Sequence, residues 1–251
     1  MTFKHNSDLY VSPNLKEGMD YARRHRRHAR FDDTLDRTDD VPKTTILAPH
    51  GGGIEPGTSE LCLAVAGYHP PDMTPAGVTY DYWMFEGLLD DGNDALHVTS
   101  TGCDDGVAVS LCAGALNALA LHGFRPKPPD SEDDQILLVG GGNAALQGYL
   151  FLGLRDADFV VKPASAAGGG HDLDGNNPCN IVNRTLLGMG GAQLELSTKL
   201  REAMFTDNTS SGRKNTTTQK FWDFVNVCRD ALAQLGADQI AHKPLFRCEQ
   251  S

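Results

Sequence analysis

The stretch Thr44-Thr45-Ile46-Leu47-Ala48-Pro49-His50-Gly51-Gly52-Gly53-Ile54-Glu55-Pro56-Gly57-Thr58 decides the fold. Its first six residues form a β-rich run that ends at a histidine, and three glycines follow. Glycine lets the backbone take left-handed or tightly folded conformations, so the chain can fold back and bring Glu55 to an ion that His50 also holds. Imidazole nitrogen and carboxylate oxygen both suit zinc. The simpler alternative is a Gly-rich turn that only exposes a polar pair. A phosphate cradle fits less well, because no Lys-Ser or Lys-Thr follows the glycines. Glu60 lies further on, in the next helix, and suits a ligand's place less well than Glu55.

Outward from this stretch, strand-like and helix-like segments alternate. Helices are expected over 60–67, 107–116, 144–154 and 219–235, and strands over 80–86, 96–100, 118–122, 136–139, 159–161 and 192–196. Residues 126–134, 164–178 and 206–218 are polar or Gly-rich and read as loops. This alternation predicts an α/β fold with a mixed, mainly parallel central sheet flanked by helices. In such sheets, sites form beyond the carboxyl ends of strands. Residues 1–43 read as a peripheral extension and 44–251 as a single catalytic domain. Within the extension, the basic cluster from Arg23 to Arg30 and the acidic run from Asp32 to Asp40 nearly cancel, so a solvated helix is expected there rather than an anion-binding patch.

A catalytic zinc site takes three protein ligands and leaves one position open. His122 is the third ligand expected, since it too ends an apolar strand and is followed by glycine. His97, one residue into a strand-like run, is its rival for that place and otherwise a substrate contact. Glu195, between two leucines, is either a general base beside the metal or an outward-facing strand residue. Arg184, after Asn183, could bind a substrate carboxylate with its planar fork, with Arg201 as a second cation, or could be a structural ion-pair partner. His171 reads as a loop histidine. Gly140-Gly141-Gly142-Asn143-Ala144-Ala145 fits a dinucleotide fingerprint, but the next strand runs into Lys162 where an acid is needed, so an oxidoreductase is disfavoured.

Composition narrows the class. The chain has 251 residues and a formal net charge of -11. Its pI is near 5.2. Nucleic acid is a poor partner for so acidic a chain, because binding it requires phosphate neutralisation. No apolar run approaches a membrane span, and the first eight residues lack an apolar signal core, so cytoplasmic synthesis is expected. The six cysteines include no C-x-x-C pair, which argues for reduced thiols rather than a cysteine zinc site.

Together, His50-Gly-Gly-Gly-Ile-Glu-Pro-Gly-Thr-Ser-Glu-Leu, Leu96-His-Val-Thr-Ser, Leu121-His-Gly, Asn180-Ile-Val-Asn-Arg and Gly191-Ala-Gln-Leu-Glu-Leu-Ser resemble the poly-γ-glutamate hydrolase family, which includes bacteriophage enzymes that cut poly-γ-glutamate capsules. The motifs occur in order over residues 44–205. The resemblance implies a zinc carboxypeptidase-like fold and one Zn2+ per chain, held by His50, Glu55 and His122, with Glu195 as the catalytic carboxylate. The order His, Glu, His, Glu is also that of the zinc carboxypeptidases, whose first spacing is shorter. The implied partner is anionic poly-γ-glutamate or a γ-glutamyl peptide, met as a monomer, inside the cell or outside it after host lysis. Residues 1–43, the stretch Ala164 to Asn177, the tail after Phe205 and the residues from Thr101 to Asp105 depart from the family pattern and bear on substrate preference. Two alternatives stand beside this: a zinc hydrolase of another peptide or acyl amino acid, and a non-catalytic binding module on the same fold.

Overall fold

The computed structural model describes residues 3–28, 44–166 and 173–241. Seven strands form one sheet: β1 Tyr21–Arg26, β2 Thr44–Gly52, β3 Asp81–Gly87, β4 Asn117–Phe124, β5 Ile136–Gly141, β6 Val160–Pro163 and β7 Ala192–Ser197. Their order is β1-β3-β2-β4-β7-β5-β6. The central strands β3, β2, β4 and β7 run parallel, while β1 pairs antiparallel with β3, and β5 with β7. β5 and β6 are parallel to each other. The sheet is thus mixed and mainly parallel, and β2, β3, β5 and β7 are apolar-rich and almost wholly buried, as strands covered on both faces must be.

Among the described residues, six α-helices flank it: α1 Asn6–Tyr10, α2 Thr58–Val65, α3 Gly106–Ala113, α4 Ala144–Asp156, α5 Thr198–Ala203 and α6 Gln219–Ala241. Side-chain caps fix three of their starts. Asp105 accepts from the amides of Val107 and Ala108, Asn143 from Leu146, and Ser197 from Leu200. Helices α2, α4 and α6 bury Leu119, Leu121, Leu194 and Leu196 on one sheet face. On the other face, α1 and α3 pack with Leu47, Trp83, Phe85, Ala118 and Ala120.

Two expectations change. The basic cluster is not a helix. Its described part is the edge strand β1, where Arg24 pairs with Glu86 at 3.2 Å and Arg23 lies over the Tyr10 ring at 4.4 Å. Charged side chains are a usual protection for such an edge. Leu9 and Tyr21 are buried, so residues before Thr44 contribute to the second core cluster. Second, the run 96–100 is not a strand but a connector between two 3₁₀ turns, Asn93–Leu96 and Ser100–Gly102. The Gly140 to Gly142 loop, where the sequence already disfavours a nucleotide, is filled by protein. A Cβ at Gly140 would meet the Asp174 carbonyl at 2.2 Å, and one at Gly141 the Gly191 carbonyl at 2.4 Å. Close backbone contact therefore explains these glycines without a nucleotide. The acidic run 32–40, Arg30 and His171 lie outside the described residues.

Candidate metal centre

The centre begins at a bulge. Strand β2 pairs in register with β3 up to Ala48, then shifts by one residue before Gly51 meets Glu86. Side chains alternate along a strand, so one extra residue reverses which face the next side chain takes. Ala48 faces the core of α2, α4 and α6, and the bulge turns His50 to the opposite face, the one His122 shares with Ala118 and Ala120. Pro49, which has no N–H to give a ladder, sits at this irregularity. Gly52 then takes φ +64, a left-handed conformation, and the turn closes where the Glu55 amide donates to the His50 carbonyl at 2.9 Å.

This fold-back sets Glu55 against both imidazoles. Glu55 Oε1 lies 2.9 Å from His50 Nδ1, and Oε2 lies 3.6 Å from His122 Nδ1. Oε2 also accepts the Gly123 amide at 2.8 Å. The two Nδ1 atoms are 3.0 Å apart. His50 Nε2 faces the Val98 carbonyl at 2.7 Å, and a carbonyl can only accept, so that nitrogen carries a proton and Nδ1 is the atom turned to Glu55 and His122. His122 Nε2 faces Ser100 Oγ at 3.2 Å. Two ring nitrogens and a carboxylate oxygen at such separations sit together favourably only with a proton or a cation between them. The donor set N, N, O, with each imidazole anchored through its other nitrogen, is one that suits zinc.

His97 stands at the rim. Its ring lies over His50 with centroids 3.8 Å apart, and Nε2 is 3.9 Å from Glu55 Oε1. His50, Glu55 and His97 each turn a ligand atom to within 4.8 Å of one another, so His97 also satisfies the geometry of a third ligand. Burial, then the adjoining His50, push its pKa down to about 4. His122 differs in being fully enclosed, at 3% exposure.

Glu195 adjoins the cluster through the sheet, since His122 and Glu195 are register partners of β4 and β7. It is buried, and Gln193 Nε2 donates to its Oε1 at 2.9 Å while Asn180 Nδ2 donates to Gln193 Oε1 at 2.9 Å. Burial first and the charge of Glu55 second hold the Glu195 carboxyl well above the ordinary range. Burial pushes Glu55 the same way, but His50 and His122 outweigh it and hold that carboxyl low. Two nearby carboxylates are thus driven in opposite directions, which is how acid–base roles are divided in a site. Gln193 and Asn180 were not singled out from the sequence. Gln193 is two residues from Glu195 and so on the same strand face, which was the available signal.

Arg184 and Arg201 are both engaged within the protein, the structural role that stood open for Arg184. Arg184 donates to the carbonyls of Cys179, Cys103 and Thr101 at 3.0, 3.2 and 3.4 Å, which makes it a strap across the loops. Asn183 accepts from the Gly142 and Gly191 amides and donates to the Gly175 and Asn177 carbonyls, so its amide is fully engaged. Arg201 is buried against Gly123 and bonds to the Leu196 and Pro56 carbonyls and Thr198 Oγ1. Glu60 makes a buried ion pair with Arg213 at 3.1 Å. A cleft of about 1320 Å³ opens onto Glu55, His97 and Gly123.

An α/β fold with a buried His/Glu cluster at the carboxyl ends of adjacent parallel strands is the frame of a candidate metal-dependent hydrolase. Residues 20–227 match the model of the poly-gamma-glutamate hydrolase family, and the chain belongs to that family. It is similar to the SPbeta prophage-derived protein YoqZ of Bacillus subtilis (strain 168), 35% identical over 76% of this chain and 62% of that protein. It is also similar to YndL of the same organism, 32% identical over 72% of this chain and 64% of that one. The chain thus spans less than two thirds of the length of these two curated relatives. Among solved structures, a bacteriophage poly-gamma-glutamate hydrolase matches with TM-score 0.73 and 29% identity over 93% of this chain and 97% of that one. YndL in a zinc-free apo form matches with TM-score 0.72 and 27% identity over 93% of this chain and 98% of that one. No helix among the described residues is long and apolar enough to cross a membrane.

Proposed function

We propose that this protein is a zinc-dependent hydrolase that cleaves γ-glutamyl amide bonds in poly-γ-glutamate. The observation that carries the reading is the convergence of His50 Nδ1, His122 Nδ1 and the Glu55 carboxylate beside a buried Glu195. Family membership and the likeness to a bacteriophage poly-gamma-glutamate hydrolase support the substrate. His50, Glu55 and His122 would hold the ion, with His97 as the alternative third ligand. Zinc, when bound, supplies a Lewis acid and makes a water more acidic.

The chain's own residues divide the remaining work. Glu195 takes the proton of the attacking water and returns it to the nitrogen of the leaving amine, a general base that becomes a general acid. Its raised pKa favours holding that proton between the two steps. Gln193, itself held by Asn180, fixes the orientation of the Glu195 carboxyl. The Gly123 amide fixes the second oxygen of Glu55. The test is to load the protein with zinc, supply poly-γ-glutamate, α-linked polyglutamate and N-acyl glutamates, and follow amine release. Selective cleavage of the γ-linked polymer, abolished by chelation, is expected. Cleavage of only the other substrates would overturn the substrate assignment.

A further inference from the structure

We propose that Arg125 is the substrate-specificity residue of this site, gripping the free carboxylate beside the bond to be cut. This rests on the γ-glutamyl hydrolase reading above. A γ-linked glutamate polymer carries one carboxylate beside every linkage, so its binding cleft needs a cation that is free to meet it. Five cationic side chains line the cleft: Arg24, Arg125, Arg201, Arg213 and Lys214. Three are engaged within the protein. Arg24 pairs with Glu86, Arg213 with Glu60 and the Asn208 carbonyl, and Arg201 with two backbone carbonyls and Thr198. Arg125 and Lys214 have no hydrogen bond or ion pair among the described residues.

Of these two, Arg125 is tied to the reacting centre by the chain itself. It is the first residue beyond β4, three residues after His122 and two after Gly123, whose amide holds Glu55. At about 3.3 Å per extended residue, its Cα lies within roughly 10 Å of that of His122, and a guanidinium reaches several ångströms further. It is exposed and lines the cleft, so its planar fork can donate to a carboxylate in bidentate fashion. Lys214 lies on a separate loop and is a point charge, suited to a second carboxylate further along. Asp90, Asp91 and Asp94, on the segment between β3 and His97, line the same cleft and repel a polyanion. In so acidic a lining, a cation without a partner of its own is the group left to meet a substrate carboxylate.

The test compares zinc-loaded wild type with Arg125→Ala, Arg125→Lys and Lys127→Ala, the last being an exposed cation outside the cleft lining. Substrates are a γ-linked glutamate oligomer and the same oligomer with its side carboxylates converted to carboxamides. Arg125→Ala should raise KM for the oligomer about tenfold or more, the loss expected for a charged hydrogen bond. Arg125→Lys should recover part of this, and Lys127→Ala should match wild type. On the carboxamide oligomer, all four proteins should behave alike. Zinc content and thermal midpoint should be the same in each. If wild type cleaves the oligomer and Arg125→Ala has an unchanged KM, the role of Arg125 is overturned while the hydrolase reading stands. If zinc-loaded wild type neither binds nor cleaves the oligomer, the hydrolase reading falls and the proposal falls with it.

Discussion

His122 on β4 and Glu195 on β7 face one another as direct register partners in the parallel part of the sheet. Parallel neighbours lie about 4.8 Å apart, so a proposed ligand and a proposed proton carrier are held at a distance the sheet sets rather than a loop. Replacing Glu195 by Gln preserves shape and the approach of Gln193 but removes the proton acceptor. Hydrolysis should fall by about 10²–10⁴-fold with zinc content unchanged. A variant that turns over at the wild-type rate would remove Glu195 from the mechanism.

The same substitution has a second consequence in metal-free protein. The Glu195 pKa is raised by folding, so the native state binds more protons than the unfolded chain between the ordinary glutamate value and the raised one. Stability contributed here falls as pH increases through that window. Metal-free Glu195→Gln should therefore melt higher than metal-free wild type at neutral pH, and the gap should close as pH is lowered towards 4.5. Equal melting temperatures at both pH values would contradict this electrostatic account.

Gln193 is buried and held between Asn180 and Glu195. Gln193→Leu leaves Glu195 without its side-chain donor. A fall in kcat of about fivefold with little change in KM is expected, since one such hydrogen bond contributes about 1 kcal/mol. A changed KM with unchanged kcat would assign Gln193 to substrate binding instead.

Gly123 is constrained by close approach. A Cβ there would come within 2.5 Å of Arg201 Nε, whose guanidinium is bonded to the Leu196 and Pro56 carbonyls. Gly123→Ala must displace either that side chain or the amide that holds Glu55. A loss of about 1–3 kcal/mol in denaturant unfolding is expected, together with weaker zinc binding. Wild-type values for both would show that the Arg201 contact yields freely.

Much of this was legible in the sequence because the deciding features are local. A strand ending in histidine, followed by glycines and a glutamate, encodes its own fold-back; apolar runs closed by glycine marked β4 and β5, and polar–apolar alternation marked β7. What escaped depends on distant partners. The bulge at Pro49 and His50 depends on the pairing with β3, so the face taken by His50 could not be read from alternation alone. The residues from Leu96 to Ser100 have a strand's composition, yet they connect two 3₁₀ turns. The charge-rich Tyr21–Arg26 segment resembles a solvated helix until Glu86 and Tyr10 are brought to it. Arg184 has the chemistry of a carboxylate clamp, but carbonyls far away in sequence engage it, and nothing in the motif that carries it reveals them.

The central claim is that His50, Glu55 and His122 form a zinc site. It is tested most directly by elemental mass spectrometry of zinc in wild type and in the His50→Ala, His122→Ala and His97→Ala variants, with folding checked by circular dichroism. About one zinc per chain in wild type, lost in the first two variants and kept in the third, is the predicted result. A folded wild type that takes no zinc when zinc is supplied would contradict the account, and loss in His97→Ala with retention in His122→Ala would contradict the ligand set.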